Sequence, residues 1–405
     1  MKRRQNGEAV RIEFFIDSVL INHVPNGNYG GRWRQGAGSR ISVCGLPACT
    51  LKGVMLAVLL LFVISVNQLV IAQEISQTTA VADVLAGKFR WMASAPLLAV
   101  NPKQLPASPD NPWIAVKDPS IVWHNGKWHL FCSLRKQKGG QGRIRIGYLS
   151  FSDWKEAPLA KWHVLELADD YHGAPQIFYF EPQRKWYLIY QAIDKTRSLP
   201  YGPHYSTNDD ISNPSGWTLP EPLYTVKPGQ NAGLDFWVIC DDTKAHLFFT
   251  TLDGRMRRAE TRLADFPNRG WTTPEVVLKA DIFEASHIYK LKGLDKYLSL
   301  IEAENGPRRY YKAFLADRLD GQWLPLATSR ERLFASPVNV THQGEPWTES
   351  YSHGELIRTG VDQRLEVDPA DLQFLFQGVS DEDRAGKGYG AIPWRLGILR
   401  QIKEQ

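Results

Sequence analysis

DPSIVWHNGKWHLFCS, residues 118–133, reads as an apolar strand, a polar turn and a second strand that contains aromatic side chains. Short runs of β-branched and aromatic residues bounded by Gly, Pro, Asn and Asp are typical of β-strands. The unit recurs as APQIFYFEPQRKWYLIYQ (174–191), DFWVICDDTKAHLFFT (235–250), FEASHIYKLKGLDKYLSLIEA (283–303) and, more weakly, SHGELIRTGVDQRLEVDPADLQFLFQG (352–378). Because helical periodicity is nearly absent here, the sequence predicts an all-β protein built from repeats.

Five similar units favour a five-bladed β-propeller over residues 89–405, in which four-stranded sheets repeat around a central channel. A pair of β-sandwiches is the alternative, but it gives no reason for five similar units. Successive polar residues near the start of the units are 58, 59, 49 and 69 residues apart. This period is longer than the roughly 40–50 residues of ordinary propeller repeats, and insertions between strands would lengthen it. These residues are Asp118, Gln176, Asp235, Glu284 and His353, the last followed by Glu355.

The innermost strands of a propeller begin at one face, so these polar residues are expected to converge on one pocket. Asp118, Asp235 and Glu284 would supply three carboxyl groups. Glycoside hydrolysis needs one protonated and one ionised carboxyl, and a third carboxylate nearby raises the pKa of the acid. Two other interpretations are a calcium or transition-metal site that includes His353, and acids that merely cap turns.

The excess of positive charge lies entirely in the first 72 residues. The chain has 48 Lys and Arg and 43 Asp and Glu, of which this leader holds eight and three, so the rest of the chain has 40 of each. A neutral body argues against a nucleic-acid or anionic-membrane partner, because both need a basic face.

The leader itself predicts export. Its apolar run, residues 54–66, has about 13 residues, whereas a bilayer-spanning helix needs roughly 20. With Lys52 before it and small Ala72 after it, the run is typical of a secretory signal peptide. We therefore expect cleavage after Ala72, a linker over 73–88, and a secreted (extracellular or periplasmic) protein without stable membrane association. A signal-anchor helix and a translation start at Met55 are alternatives.

Two cysteines, Cys132 and Cys240, remain in the mature chain, both in apolar strand-like segments. Buried free thiols are the expected state, and a disulfide between them is the alternative.

An ordered set of motifs resembles glycoside hydrolase family 62, from about Phe89 to Ile402. The motifs are Lys117-Asp118-Pro119-Ser120, Ala174-Pro175-Gln176, FYF, KWYLIYQ, DFWVICDD from Asp235, Phe283-Glu284-Ala285-Ser286, Ser352-His353-Gly354-Glu355 and Pro393-Trp394-Arg395-Leu396-Gly397. The resemblance implies a secreted exo-acting α-L-arabinofuranosidase that removes arabinose side chains from arabinoxylan with inversion, and we expect a monomer.

Roles for individual residues are likewise implied by the resemblance. The catalytic set would be Asp118 as general base, Glu284 as general acid and Asp235 as the residue that orients the site and keeps the acid protonated. Substrate would be bound by Lys117 at the arabinose hydroxyls, Gln176 at the pocket floor and Tyr389 at its rim. His353 would lie near one mainly structural calcium ion on the propeller axis.

The chain departs from the family pattern after Gln191. Ala192 stands where the family usually places a Trp beside the arabinose, and the unusual stretch 193–204 follows. These departures leave open a related five-bladed glycosidase, such as a β-xylosidase or an arabinanase-like enzyme. A non-catalytic carbohydrate-binding propeller is the alternative from another class, although binding does not require three carboxylates.

Overall fold

The computed structural model describes residues 66, 68, 76–227 and 229–403. Apart from residues 66 and 68, the predicted leader, with Met55 and the apolar run 54–66, lies outside the described residues. Within the described ranges, no helix has the length and hydropathy needed to span a bilayer.

Five sheets form the blades of a propeller, which confirms the predicted fold class. After β1 (Trp91–Ala93), blade I contains β2 (Trp113–His124), β3 (Lys127–Lys136), β4 (Ile144–Phe151) and β5 (His163–Val164). Blade II contains β6 (Tyr171–Phe180), β7 (Lys185–Asp194), β8 (Leu199–Asn208) and β9 (Glu221–Pro222). Blade III contains β10 (Leu234–Cys240), β11 (Lys244–Thr250), β12 (Arg255–Arg262) and β13 (Glu275–Lys279).

The last two blades are larger. Blade IV contains β14 (His287–Leu291), β15 (Tyr297–Asn305), β16 (Arg308–Ala316), β17 (Leu324–Ser329), β18 (Arg332–Leu333) and β21 (Glu366–Val367). Blade V contains β20 (Ser350–Leu356), β22 (Gln373–Val379), β23 (Arg395–Gln401), β1 and β19 (Val340–His342). Short helical turns cover Asp381–Arg384 and Tyr389–Ala391.

Blade V joins the two ends of the described chain. Strand β1 pairs antiparallel with β23, with Trp91 opposite Gln401, and parallel with β19, with Trp91 opposite Val340. The Trp91 indole is fully buried, lies 5.0 Å from the Phe334 ring and donates to the Phe334 carbonyl. Since an unclosed sheet would expose unpaired edges, this pairing closes the ring.

A β-bulge recurs at the start of the innermost strands. In β2, Lys117 pairs with Ser133 and Ser120 with Phe131, so Asp118 and Pro119 together oppose one residue of β3. The same two-against-one register occurs in β6 and β10, and directly before β14. The first bulged residue has a positive φ in each of four blades, at Asp118 (50°), Ala174 (49°), Asp235 (55°) and Ala285 (52°).

The segment predicted as a linker differs from that expectation. Residues 76–85 form a helix, and two of its apolar side chains, Ala80 and Val84, are buried. Val84 belongs to the main hydrophobic core together with Trp91. The segment therefore packs on the propeller, because its small and branched side chains face the core at helical spacing.

The prediction of free thiols is confirmed. Cys132 and Cys240 are both buried, and neither forms a disulfide within the described residues. Burial raises the pKa of each thiol well above its ordinary value, which keeps both protonated.

Truncating Trp91 tests the ring closure. Trp91→Ala removes a fully buried aromatic side chain and is expected to lower the free energy of unfolding by about 3–5 kcal/mol. Met92, next to it on the strand, is 38% exposed, so Met92→Ala should change stability by less than about 0.5 kcal/mol. Denaturant unfolding of both variants measures the difference. Equal stabilities would contradict the closure described above.

Candidate active site

A cavity of about 510 Å³ opens at the face where the innermost strands begin. Three kinds of side chain line it: carboxylates, cations and aromatic rings. Six of the seven residues predicted for the site lie in its wall, namely Lys117, Asp118, Asp235, Glu284, His353 and Tyr389. Its other residues include Arg135, Arg143, Tyr171, Gln191, Ile193 and Tyr201, which come from blades I and II.

The repeated bulge explains how residues so far apart in sequence meet. Asp118 and Asp235 are the first bulged residues of blades I and III, and His353 lies in the register shift of blade V. Lys117 and Glu284 occupy the position immediately before the bulge in blades I and IV. A bulge re-aims the side chains next to it, so two successive residues line the cavity in blade I (Lys117 and Asp118) and in blade III (Leu234 and Asp235).

Asp118 is held in its ionised form. Its carboxylate lies 3.3 Å from the Lys117 ammonium, and its backbone N–H donates to Gln377 Oε1 at 2.8 Å. Burial acts to raise the pKa of Asp118, but the charge of Lys117 and hydrogen bonds from Lys117 and Ser133 outweigh it and lower that pKa below the usual range. A buried carboxylate that remains ionised is suited to accept a proton.

Lys117 is itself fixed by two partners. Burial alone would lower its pKa, but Asp118, Tyr389 and Glu284 together raise that pKa well above the ordinary value. The ammonium donates to the Tyr389 hydroxyl at 3.2 Å. Lys117 therefore carries a permanent positive charge inside the cavity.

Glu284 has the opposite protonation behaviour to Asp118. Burial raises its pKa to about 7, and Asp118 and Glu304 add to this effect, whereas Lys117 and Arg309 oppose it. Its backbone is fixed by β15, because Glu302 N–H donates to the Glu284 carbonyl at 2.9 Å. A carboxyl with this pKa holds its proton up to neutral pH and can donate it.

Asp235 is buried between the other catalytic candidates. Its Oδ2 accepts from the Ala285 N–H at 3.0 Å, and its own N–H donates to Gln191 Oε1 at 2.9 Å. Burial, Glu284 and Asp118 raise the pKa of Asp235 well above its ordinary value. Because like charges disfavour a second ionisation, Asp235 and Glu284 do not both ionise at neutral pH.

Sequence reasoning missed Glu302, a fully buried carboxyl behind the pocket. Glu302 Oε2 accepts from the His353 N–H at 2.7 Å and from Ser352 Oγ at 2.9 Å. Burial and Glu284 raise its pKa to about 8, although Arg309, 3.5 Å from Oε1, opposes the rise. Glu302 lies on the second strand of its blade, so a search limited to the openings of the repeats does not find it.

Gln176 does not line the pocket, and that prediction is corrected. Its fully buried amide donates to the Val238 carbonyl at 2.7 Å and accepts from the Val238 N–H at 2.7 Å, which ties blade II to blade III. The reason is register, because Ala174 occupies the bulge position in blade II and Gln176 lies two residues further on. Gln191, from β7, lines the cavity instead and also contacts Tyr171.

The segment after Gln191, where the sequence departs from the family pattern, forms part of the pocket wall. Ala192 is buried in the blade, whereas its neighbours on the strand, Gln191 and Ile193, face the cavity, as alternation along a strand requires. Tyr201 from the facing strand β8 lines the cavity beside them. The hairpin of β7 and β8 thus provides a wall of mixed polar and apolar side chains that the family motifs did not predict.

Tyr389 lies at the rim, as its half-exposed side chain indicates. It is 46% exposed, yet its hydroxyl reaches Lys117 inside the cavity. Arg135 Nε donates to the Gly390 carbonyl at 2.6 Å and holds this loop against blade I.

The ring of His353 lies beside two carboxylates of the pocket. Its Nδ1 lies 3.5 Å from Asp118 Oδ1 and 3.7 Å from Asp235 Oδ1. Burial lowers the pKa of His353 to about 4, so the ring is neutral at pH 7. Calcium takes six to eight oxygen ligands, and among the described residues no three His, Cys, Asp or Glu side chains form a metal-binding group. The axial calcium ion stays a prediction, and no catalytic step depends on it here.

Comparisons with known proteins agree with this geometry. A family model described as glycosyl hydrolase family 62 matches residues 102–400. Alpha-L-arabinofuranosidase C of Cellvibrio japonicus (strain Ueda107) is 37% identical over 330 residues, which cover 79% of this chain and 48% of that protein. The chain thus spans about half the length of this curated relative.

Two solved structures resemble the propeller over most of its length. The catalytic domain of a Coprinopsis cinerea family 62 α-L-arabinofuranosidase is 38% identical, with a TM-score of 0.69 over 78% of this chain and 98% of that one. A family 62 hydrolase in complex with xylotriose is 37% identical, with a TM-score of 0.67 over 77% and 97% of the two chains. The chain therefore belongs to glycosyl hydrolase family 62.

Proposed function

We propose that the protein is a secreted, exo-acting α-L-arabinofuranosidase that hydrolyses arabinose side chains from arabinoxylan with inversion. One observation carries this proposal: a single buried cavity contains Asp118, whose pKa is lowered, and Glu284, whose pKa is raised to about 7. Glycoside hydrolysis needs this pair of opposite protonation states at neutral pH. Inversion is implied by the family resemblance.

In the proposed step, Glu284 gives its proton to the oxygen that links arabinose to the main chain. As the bond from that oxygen to C1 breaks, a water molecule attacks C1 from the opposite face, and Asp118 takes a proton from the water. The products are free arabinose of inverted anomeric configuration and an unsubstituted main-chain hydroxyl. Asp235, whose own pKa is raised by burial and by the charges of Glu284 and Asp118, orients the site, because its carboxylate accepts a hydrogen bond from the Ala285 N–H beside Glu284.

The polar groups of the pocket suit a small neutral sugar. Lys117 supplies an ammonium and Tyr389 a hydroxyl at the rim, while Gln191 and Tyr171 supply further polar atoms beside Asp235. Xylotriose bound to a family 62 relative supports a xylan main chain as the polymer. The neutral balance of residues 73–405 agrees with an uncharged polysaccharide as substrate. Secretion and a monomeric state are part of the same proposal.

The released sugar tests the function directly. Incubating the protein with wheat arabinoxylan should yield free arabinose, and proton NMR in the first minutes should show the inverted anomer before mutarotation. Release of xylose would support a β-xylosidase instead. Binding to the polymer with no sugar released would support a non-catalytic propeller.

Removing either catalytic carboxyl should abolish most of the activity. Glu284→Gln and Asp118→Asn are each expected to lower kcat/KM on arabinoxylan by about 10²–10⁴-fold, the size of a general acid–base contribution. Glu345→Gln and Asp209→Asn make the same chemical changes at exposed positions outside the cavity and should retain wild-type turnover. Wild-type turnover in Glu284→Gln or Asp118→Asn, with unfolding transitions preserved, would refute the assignment.

The pH profile should report the pKa of Glu284. Because the acid must be protonated, kcat/KM should fall as the pH rises through about 7. Arg309 acts to lower this pKa, so Arg309→Gln should raise it and move the alkaline limb to higher pH. Arg308→Gln changes a neighbouring Arg that pairs with Asp381, and it should leave the limb in place. An unmoved or acid-shifted limb in Arg309→Gln would contradict the electrostatic account.

A further inference from the structure

A second cavity, of about 650 Å³, lies on blade IV at the turn between β15 and β16. Strand β15 runs antiparallel to β14, so its end returns to the face where Glu284 lies. One contact and one sequence neighbour relate the cavity to the acid. The guanidinium of Arg309, which lines the cavity, lies 4.1 Å from the ring centre of Phe283, and Phe283 directly precedes Glu284. The side chain of the residue directly before the candidate acid therefore contacts the lining of this cavity, which we term the blade IV cavity.

The proposed reaction indicates on which side of the pocket the polysaccharide main chain lies. A general acid faces the leaving group, and in arabinose removal the leaving group is the polysaccharide main chain. The part of the main chain next to the cleaved bond must accordingly lie on the side of Glu284. A cavity just beyond Glu284 is then positioned to receive a neighbouring residue of that chain.

The blade IV cavity contains more cations than carboxylates. Two ion pairs form between residues that both line the cavity: Lys312 with Asp281 at 2.8 Å, and Arg309 with Glu304. Arg308, also in the wall, pairs with Asp381, whose carboxylate is not part of the lining. Arg330 is exposed, and among the described residues it forms neither an ion pair nor a hydrogen bond. One guanidinium is thus available to an anionic ligand.

Two further side chains offer surface to a sugar ring. Tyr310 lies in the wall with the Lys312 ammonium 5.7 Å from its ring centre, and Val338, which is 68% exposed, lines the same cavity. Amphipathic aromatic side chains at a solvated site combine apolar contact with a polar edge. A guanidinium binds carboxylates with two parallel hydrogen bonds, which an ammonium does not match.

We propose that the blade IV cavity is a subsite for a carboxylate-bearing sugar, a uronic acid carried by the same polysaccharide main chain from which arabinose is removed. Arg330 recognises the carboxylate, and Tyr310 and Val338 contact the ring. The inference rests on the proposed function, since it uses the position of the leaving main chain. It extends that function by making the enzyme prefer acidic stretches of the polymer, although its body is neutral overall.

The test compares one polymer in two forms. Arabinose release is measured on glucuronate-bearing arabinoxylan and on the same material after reduction of its carboxyl groups to alcohols. At low salt the wild type should show a kcat/KM about two- to fivefold higher on the acidic form, through KM, as expected for one solvent-exposed charge pair. The preference should shrink as salt is raised, because ions screen exposed charges.

Variants assign the preference to the cavity. Arg330→Ala should lose the preference and Arg330→Lys should keep part of it. Arg318→Ala, which removes an exposed Arg paired with Asp320 away from the cavity, should retain it. Equal kcat/KM on the two polymers in the wild type, or an undiminished preference in Arg330→Ala, would overturn the inference. Failure of the wild type to release arabinose from either form would instead overturn the proposed function, so the two failures are distinguishable.

Discussion

Three carboxyl groups line one buried pocket and a fourth, Glu302, lies behind it, and burial together with the few cations beside them determines which of the four ionise. Lys117 lies against Asp118 and holds it as the ionised member. Glu284 and Glu302 have pKa values raised to about 7 and about 8, because burial outweighs the opposing charge of Arg309. Without this unequal distribution of positive charge the site would have no distinct acid and base.

The geometry that creates this volume is the β-bulge of the innermost strands. A residue at positive φ is uncommon outside glycine, yet four blades place one at the same register. In blades I and III that residue is an aspartate, whereas in blades II and IV it is an alanine. The backbone scaffold is thus the same in these blades. The chemistry of the site depends on the blades that carry a charged side chain at the bulge or immediately before it.

The repeats made the architecture predictable, because strand periodicity and turn residues are local properties of the sequence. The convergence on the cavity was predictable for residues that lie at or beside the bulge, as Asp118, Asp235 and Glu284 do. Gln176 was assigned to the pocket from its motif, but a two-residue offset in register turns its amide to Val238. Glu302 and Tyr201 were missed because they lie on outer strands, whose approach to the axis depends on the packing of whole blades. The helix over 76–85 was missed because its docking depends on contacts distant in sequence.

Protonation of Glu284 is the central claim, and infrared difference spectroscopy tests it most directly. Spectra of the wild type minus those of Glu284→Gln, recorded across pH, isolate the carboxyl stretch of this residue from the other acids. We predict a protonated-carboxyl band that persists to about pH 7 before it gives way to carboxylate. A band that has already disappeared near pH 4.5, the ordinary range of a glutamate, would contradict the assignment of Glu284 as the acid.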